Sequence, residues 1–174
     1  MLVFYYQISD LLKEIKQESV RFVRQMKDET GKSKLDELSA GAGDETFLKK
    51  LLKEVSSRDI LNALEPYTRT LADLDTPLEG YEFDATYTDE EDVSTTHCII
   101  FRMIEETLQP TTIVTQMEDV IKSAMVHYCV AQFLFRNGGD GSIPQAIFDK
   151  DFDQFIWYLN RRSVGLKRTP TLLI

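Results

Sequence analysis

Two pairs of histidine and cysteine residues are the side chains of this chain best suited to chemistry. His97 precedes Cys98, and His127 lies two residues before Cys129. Imidazole nitrogen and thiolate sulfur are typical zinc ligands, but neighbours on a strand point to opposite faces, and residues two apart on a helix lie about 200° around its axis. The spacing therefore predicts no metal site. Because each of the two cysteines lies among apolar neighbours, we expect reduced thiols.

Other fragments copy parts of nucleotide-binding or catalytic motifs. Gly31-Lys32-Ser33 has the form of the end of a phosphate-binding loop, but Met26 stands where that loop needs its first glycine. No serine lies in a nucleophile elbow, and paired acids such as Glu90-Glu91 are typical of a solvated surface. The sequence therefore predicts no enzyme, no cofactor and no metal. Catalytic groups can also meet only in three dimensions, so a small enzyme or metal-binding protein without a recognisable motif is one alternative.

Charge is distributed unevenly along the chain. The formal net charge of −9 disfavours broad binding to nucleic acid phosphates. Asp73 to Asp92 contains nine acids and no base, whereas the only charged residues after Asp153 are Arg161, Arg162, Lys167 and Arg168. One interpretation is that the basic end of one subunit complements the acidic middle of the next, which closes into a ring when the rotation allows. The other is that the acids form a solvated loop and the bases complement a helix C-terminus.

Both ends of the chain are apolar. Residues 1–6 are Met-Leu-Val-Phe-Tyr-Tyr, and the last three residues are Leu172, Leu173 and Ile174. Apolar termini favour docking on the chain's own core or on another subunit. Residues 1–6 lack the basic start and the long apolar stretch of a signal peptide, and no apolar run reaches eighteen residues. We therefore expect no membrane association and a cytoplasmic address.

Apolar residues at three- and four-residue steps predict the helices. Asp44 is expected to cap the second helix, at residues 44–55. Ser57 is expected to start a further short helix, which Pro66 kinks or ends. The Gly-rich segment 137–141 is expected to separate the last two helices. The main helices are predicted over residues 7–27, 44–55, 112–136 and 144–162.

Alternating residues between the helices predict a β-hairpin. Tyr81, Phe83 and Tyr87 alternate with polar residues, a period of two that fits a half-exposed strand. Ile99 and Phe101 lie in a candidate partner strand over residues 96–103, although this apolar segment also fits a buried helix. The strands are expected to pair across an acidic turn that contains Asp89, Glu90, Glu91 and Asp92. Because two strands alone are marginal in water, we expect this arm to need support, which another subunit could supply.

Together these elements predict a mainly α fold. It is a bundle of about four to five helices with a β-hairpin arm over about residues 80–104 and extended termini. Residues 1–163 are expected to form a single helical domain. Residues 164–174 are expected to form a C-terminal docking tail, which follows the basic Arg161 and Arg162.

The order of these elements resembles the head-to-tail connector, or adaptor, proteins of tailed phages and prophages. The resemblance lies in the helices around residues 44–71, in the helix that contains Met117-Glu118-Asp119-Val120-Ile121, in the Gly-rich break and in the last helix, which ends in Asn160-Arg161-Arg162. In that family a small helical bundle with a protruding loop or hairpin forms a twelve-fold ring below the portal. The chain end commonly inserts into the neighbouring ring.

The resemblance implies a structural virion protein without bond chemistry. Residues 81–103 would be the arm and residues 161–174 the docking tail. The implied partners are further copies of the chain, the portal protein and the adjacent tail or ring proteins, and the implied location is the virion, after assembly in the host cytoplasm. DNA would at most pass through an acidic lumen without specific binding. The other alternative is a cytoplasmic helical protein–protein interaction module without catalysis.

Overall fold

The computed structural model describes residues 1–26, 38–68, 78–89, 91–104 and 111–163, and for 111, 112 and 161–163 it describes the backbone alone. These residues form helices and one small antiparallel sheet of three strands, which confirms the mainly α fold with a β-hairpin. The elements are β1 (Leu2–Gln7), α1 (Ile8–Val23), α2 (Glu45–Val55), α3 (Leu61–Thr68), β2 (Tyr81–Thr88), β3 (Ser94–Met103), α4 (Thr111–Arg136) and α5 (Ser142–Ser163).

Helix α1 begins directly where strand β1 ends. Gln7 is still extended, with ψ at 125°, so the helix starts at Ile8. The predicted helix over residues 7–27 is confirmed through Val23, and its last predicted residue lies outside the described part of the chain. The apolar stripe buries Leu11, Ile15 and Phe22 among others, as a period of 3.6 requires.

Asp44 precedes helix α2, but the predicted cap is wrong. Its carboxylate oxygen Oδ2 accepts the backbone N–H of Gly41 at 2.8 Å and makes no side-chain bond to the start of α2. The reason is local, because residues Ala42–Asp44 already form a 3₁₀ turn that leads into the helix. Asp44 therefore closes that turn.

The chain runs from α2 to α3 without a break. A π-helical turn, Ser56–Ile60, joins them, so the short helix predicted from Ser57 is present but begins at Leu61. The Ser57 hydroxyl donates to the carbonyl of Lys53 at 2.6 Å, one turn back in the same helix. Pro66 does not end the helix at its own position, because it lies inside α3, which continues to Thr68.

Helices α4 and α5 pack against each other across the Gly-rich break, and both predictions are confirmed with bounds shifted by one or two residues. Gly138 has φ at +74°, a conformation that favours glycine. Gly141 is buried, and a Cβ atom there would lie 2.5 Å from the carbonyl oxygen of Ala131. The close approach of the two helices therefore requires glycine at position 141.

The sheet has the order β1-β3-β2, with β3 in the centre. Strand β1 pairs antiparallel with β3 from Leu2↔Met103 to Gln7↔Cys98. The N-terminal apolar segment thus docks on its own chain, and it supplies the support that the hairpin was expected to need from outside. Residues 96–103, which also fitted a buried helix, belong to strand β3.

One face of the sheet completes a core that the helices share. Phe4 and Tyr6 from β1 lie beside Phe101 and Ile99 from β3, and all four are buried in the cluster that includes α4 and α5 residues. The Tyr6 hydroxyl donates to the carbonyl of Glu118 at 3.0 Å and so ties the sheet to α4. Each such side chain contributes about 1.5–3 kcal/mol through burial.

Candidate interaction surface

Strand β1 covers only part of the β2–β3 hairpin. Its pairing ends at Gln7↔Cys98, and beyond that point β2 and β3 pair with each other alone as far as Thr88↔Ser94. We call residues 84–89 and 91–97 the distal arm; most of their side chains are exposed. The arm predicted over residues 80–104 is therefore shorter, because its proximal half belongs to the core sheet.

The structure separates the five predicted arm residues. Ile99 and Phe101 are fully buried in the chain's own core, so these side chains are not available to a partner. Their apolar character follows from β3 being the central strand of the sheet. Tyr81 and Phe83 are half-buried and pack against the same core, and Tyr87 alone lies on the distal arm.

Tyr87 contacts the first strand across the centre of the sheet. Its ring stacks on that of Tyr5, with centroids 4.2 Å apart and planes at 21°. The register places this contact on the face that carries Cys98 and Ile100, both fully buried. Burial raises the pKa of the Cys98 thiol. The stack therefore joins the distal arm to β1 and stabilises its base.

The tip of the distal arm is ordered by Asp89. Its Oδ1 accepts the backbone N–H groups of Glu91 and Val93, each at 2.9 Å, and the N–H of Asp89 donates to the carbonyl of Val93 at 3.1 Å. Glu91 and Asp92 stay exposed, and Val93 is 56% exposed. Predicted residue Glu90 lies outside the described residues. We call Asp89, Glu91, Asp92 and Val93 the acidic tip.

Two non-glycine residues with positive φ mark the base of the distal arm. Asp84 has φ at 60° and His97 at 58°, and the β2–β3 register shifts on both sides of Ala85. Their side chains meet, with Nδ1 of His97 2.6 Å from Oδ1 of Asp84. Bulges of this kind bend and twist a hairpin. The pair thus accompanies the change of direction where the arm leaves the sheet.

A groove with several lysines lies beside the base of the arm. It has a volume of about 500 Å³ between the start of α1, helix α2 and residues Thr96 and His97. Lys16 pairs with Glu45 at 2.6 Å, and this hydrogen bond and charge lower the pKa of the Glu45 carboxyl. We call this the basic groove; its charged and titratable residues are Lys13, Lys16, Lys49, Glu45 and His97.

A second groove of about 480 Å³ has the opposite charge. It lies where β1, the start of α1, Thr95 and α4 meet. Asp10, Glu118 and Asp119 line it, together with Lys122, which pairs with Glu14 at 2.6 Å. Desolvation and the charge of Asp119 raise the pKa of the Glu118 carboxyl. The base of the arm therefore has lysines in one groove and acids in the other.

A Ser-His-Asp cluster, which the sequence did not reveal, lies between α4 and α5. Ser123 Oγ donates to Oδ2 of Asp151 at 2.6 Å and lies 3.2 Å from Nδ1 of His127. Nδ1 of His127 is also 2.9 Å from the carbonyl oxygen of Ser123. The step of four residues from Ser123 to His127 was a signal for their contact, but nothing in the sequence pointed to Asp151.

The geometry of this cluster does not fit a catalytic triad. In a triad the histidine accepts the serine proton on one ring nitrogen and donates to the acid from the other. Here the serine and the aspartate both lie near Nδ1 of His127. The backbone carbonyl oxygen of Ser123 can only accept a hydrogen bond, so Nδ1 must carry a proton to donate to this oxygen. Because Ser123 donates its own proton to Asp151, the cluster acts as a polar link between helices α4 and α5.

The remaining candidate ligands do not come together. Cys129 is fully buried on α4, and burial raises the pKa of its thiol well above the usual value. Across the ranges that the structure describes, no three His, Cys, Asp or Glu side chains are placed to hold one metal ion. In the same ranges no helix is both long and apolar enough to span a bilayer.

The predicted docking tail can be placed only in part. Arg161 and Arg162 lie in the last turn of α5. Lys167, Arg168, Leu172, Leu173 and Ile174 lie outside the described residues. The proposed contact between the basic end and an acidic surface therefore stays a prediction.

Comparisons with protein-family models, curated protein sequences and solved structures gave no match to this chain. The resemblance to connector proteins rests on the sequence pattern alone.

Proposed function

We propose that this chain is a structural virion protein, a head-to-tail connector that forms an oligomeric ring between the portal and the tail or neighbouring ring proteins. The observation that carries the proposal is the distal arm, an exposed two-stranded extension with an ordered acidic tip. A twelve-fold ring is the proposed assembly. The virion is the proposed location, reached after assembly in the host cytoplasm.

The acidic tip has the properties of a preformed contact element. Asp89 fixes the turn through two backbone hydrogen bonds, while Glu91, Asp92 and Val93 remain in solvent. Binding costs less entropy when the contacting segment is already ordered. The charged side chains would then fix the register of the contact, and Val93 would add apolar burial.

The acids also suit a protein through which DNA passes. Asp10, Glu118 and Asp119 line the second groove, and their charge repels phosphates. If such surfaces face a lumen, DNA passes without specific binding. The geometry of the Ser123, His127 and Asp151 cluster disfavours a serine hydrolase at this position, whereas the alternative of a small enzyme or metal-binding protein without a recognisable motif stays a prediction.

Native mass spectrometry and electron microscopy of the full chain test the proposal, with the chain alone and mixed with the portal protein of the same genome. We expect rings of about twelve copies, the number that the family resemblance implies. A chain that stays monomeric, alone and with the portal protein, contradicts the connector proposal. A small oligomer indifferent to the portal protein supports the cytoplasmic interaction module instead.

The docking tail is tested with a chain that ends at Ser163, the last residue of α5. We expect this variant to form the ring but to lose attachment to the neighbouring ring. A matched control keeps the length and replaces residues 164–174 with glycine and serine. If the control attaches as well as the natural chain, the charged and apolar side chains of the tail do not mediate docking.

A further inference from the structure

The acidic tip and the basic groove carry complementary charges on the same chain. The tip presents Glu91 and Asp92 to solvent. The groove presents Lys13 and Lys49, and within the described residues neither lysine forms an ion pair. Lys16 is already paired with Glu45, so Lys13 and Lys49 give the groove its excess positive charge.

The two surfaces lie at different places along the arm of one chain. Thr96 and His97, at the base of the distal arm, line the groove, whereas the tip lies beyond Thr88↔Ser94 at the far end of the paired strands. A strand rises about 3.3 Å per residue, so the tip lies on the order of 10 Å from the groove wall. The ladder between β2 and β3 holds the tip away from this groove.

We propose that the acidic tip of one copy docks in the basic groove of the next copy. This inference rests on the proposed function, in which identical copies form a ring. A contact between two different surfaces of the same chain is heterologous, and it closes into a ring when the rotation per subunit divides a full turn. The distal arm would then link each subunit to one neighbour.

The groove has the size and the chemistry to receive the turn. Its volume of about 500 Å³ lies in the range of clefts that hold small ligands. Lys13 and Lys49 offer ammonium groups to Glu91 and Asp92, and their aliphatic stems offer apolar surface to Val93. Asp89 keeps the tip ordered before contact, which lowers the entropic cost.

A double-mutant cycle on the full chain tests the contact. The tip variant is Glu91→Gln with Asp92→Asn, and the groove variant is Lys13→Gln with Lys49→Gln; a third protein carries all four changes. Asparagine tolerates the φ of 60° at position 92. Analytical ultracentrifugation, with and without the portal protein, measures self-association, and circular dichroism checks that each variant is folded.

We expect the tip variant and the groove variant each to weaken self-association about tenfold. The chain with all four changes should associate within about threefold of either variant, because each variant already loses the shared contact. A control with Lys150→Gln and Asp153→Asn, both exposed on α5, should associate like the natural chain.

Four outcomes overturn the inference. Effects that multiply to about a hundredfold mean that tip and groove act independently. An effect of only one variant means that the two surfaces do not contact each other. Rings that form equally well in both variants overturn the inference and leave the proposed function standing, whereas a full chain that never assembles overturns both.

Discussion

Ser19 holds the segment after α1 against the helix, and its loss should be measurable. Its side chain is fully buried; the hydroxyl donates to the carbonyl of Lys16 at 2.8 Å and accepts the backbone N–H of Ala40 at 3.1 Å. In Ser19→Ala the Lys16 carbonyl keeps its backbone hydrogen bond within the helix. The buried Ala40 N–H, in contrast, loses its acceptor. An unsatisfied buried donor costs about 1–3 kcal/mol. We expect a loss of about 2 kcal/mol.

Urea unfolding followed by circular dichroism measures this loss, and a thermal scan should show a fall in Tm of about 4–8 °C for a chain of this size. Ser57→Ala is the matched control. Among the residues that the structure describes, the Ser57 hydroxyl bonds only to carbonyls of its own helix, at Lys53 and Glu54. Both variants remove a hydroxyl that bonds back to its own helix, and only Ser19→Ala also removes the bond to Ala40.

The expected difference between the two variants is about 2 kcal/mol in the free energy of unfolding, with Ser57→Ala within about 0.5 kcal/mol of the natural chain. Amide hydrogen exchange gives a second readout, since the Ala40 N–H should exchange faster in Ser19→Ala. A difference below about 0.5 kcal/mol with unchanged exchange at Ala40 would refute the reasoning, because the N–H would then have another partner.

Three further predictions concern the helices and the buried thiols. Gly141→Ala should lower the free energy of unfolding in urea by about 1–3 kcal/mol, because its Cβ atom would lie 2.5 Å from the Ala131 carbonyl oxygen. Gly43→Ala is the control and should be near neutral, because a Cβ atom there has no neighbour within 4 Å. Equal effects of the two changes would contradict the close helix contact. Desolvation and the hydrogen bond to Glu54 raise the pKa of Tyr128 to about 12. Because the pKa of Tyr128 in the folded chain lies above the unfolded value of about 10, the free energy of unfolding should fall between pH 10 and 12. Tyr128→Phe should flatten this fall, which unfolding at each pH with phenolate absorbance measures. An unchanged slope in the variant would contradict the raised pKa. Cys98 and Cys129 are buried and have raised thiol pKa values, so a thiol reagent at pH 8 should modify them only after unfolding. Modification of the folded chain at the rate of free cysteine would contradict their burial.

The sequence predicted the elements that carry their own periodicity. Helices α1, α4 and α5 and strand β2 were found because each has an apolar stripe or a strict alternation, and β3 was predicted as the partner of β2. Strand β1 was missed as a strand, although Val3, Phe4, Tyr5 and Tyr6 favour one. Its partner lies about 90 positions away in β3, and no local pattern identifies a partner at that distance.

The candidate surface was predictable only where it is local. The acidic tip follows from consecutive acids in one turn, and the turn lies where the alternating strands placed it. The basic groove combines Lys13 from α1, Lys49 from α2 and His97 from β3, and only the packing of α1 against α2 and the sheet brings them together. Asp44 was misassigned because a 3₁₀ turn competes for its carboxylate.

The pairing of the first strand with the centre of the sheet has a consequence for synthesis on the ribosome. Ninety residues separate Gln7 from its partner Cys98, and at about 5–20 residues per second their translation takes roughly 5–18 s. Throughout this time β1 is an apolar segment with unpaired backbone groups, the kind of edge that promotes aggregation. Closing a loop of this length costs about 4 kcal/mol of chain entropy. Because β1 runs directly into α1, and α1 packs against α4, docking of α1 on α4 brings the strand close to β3.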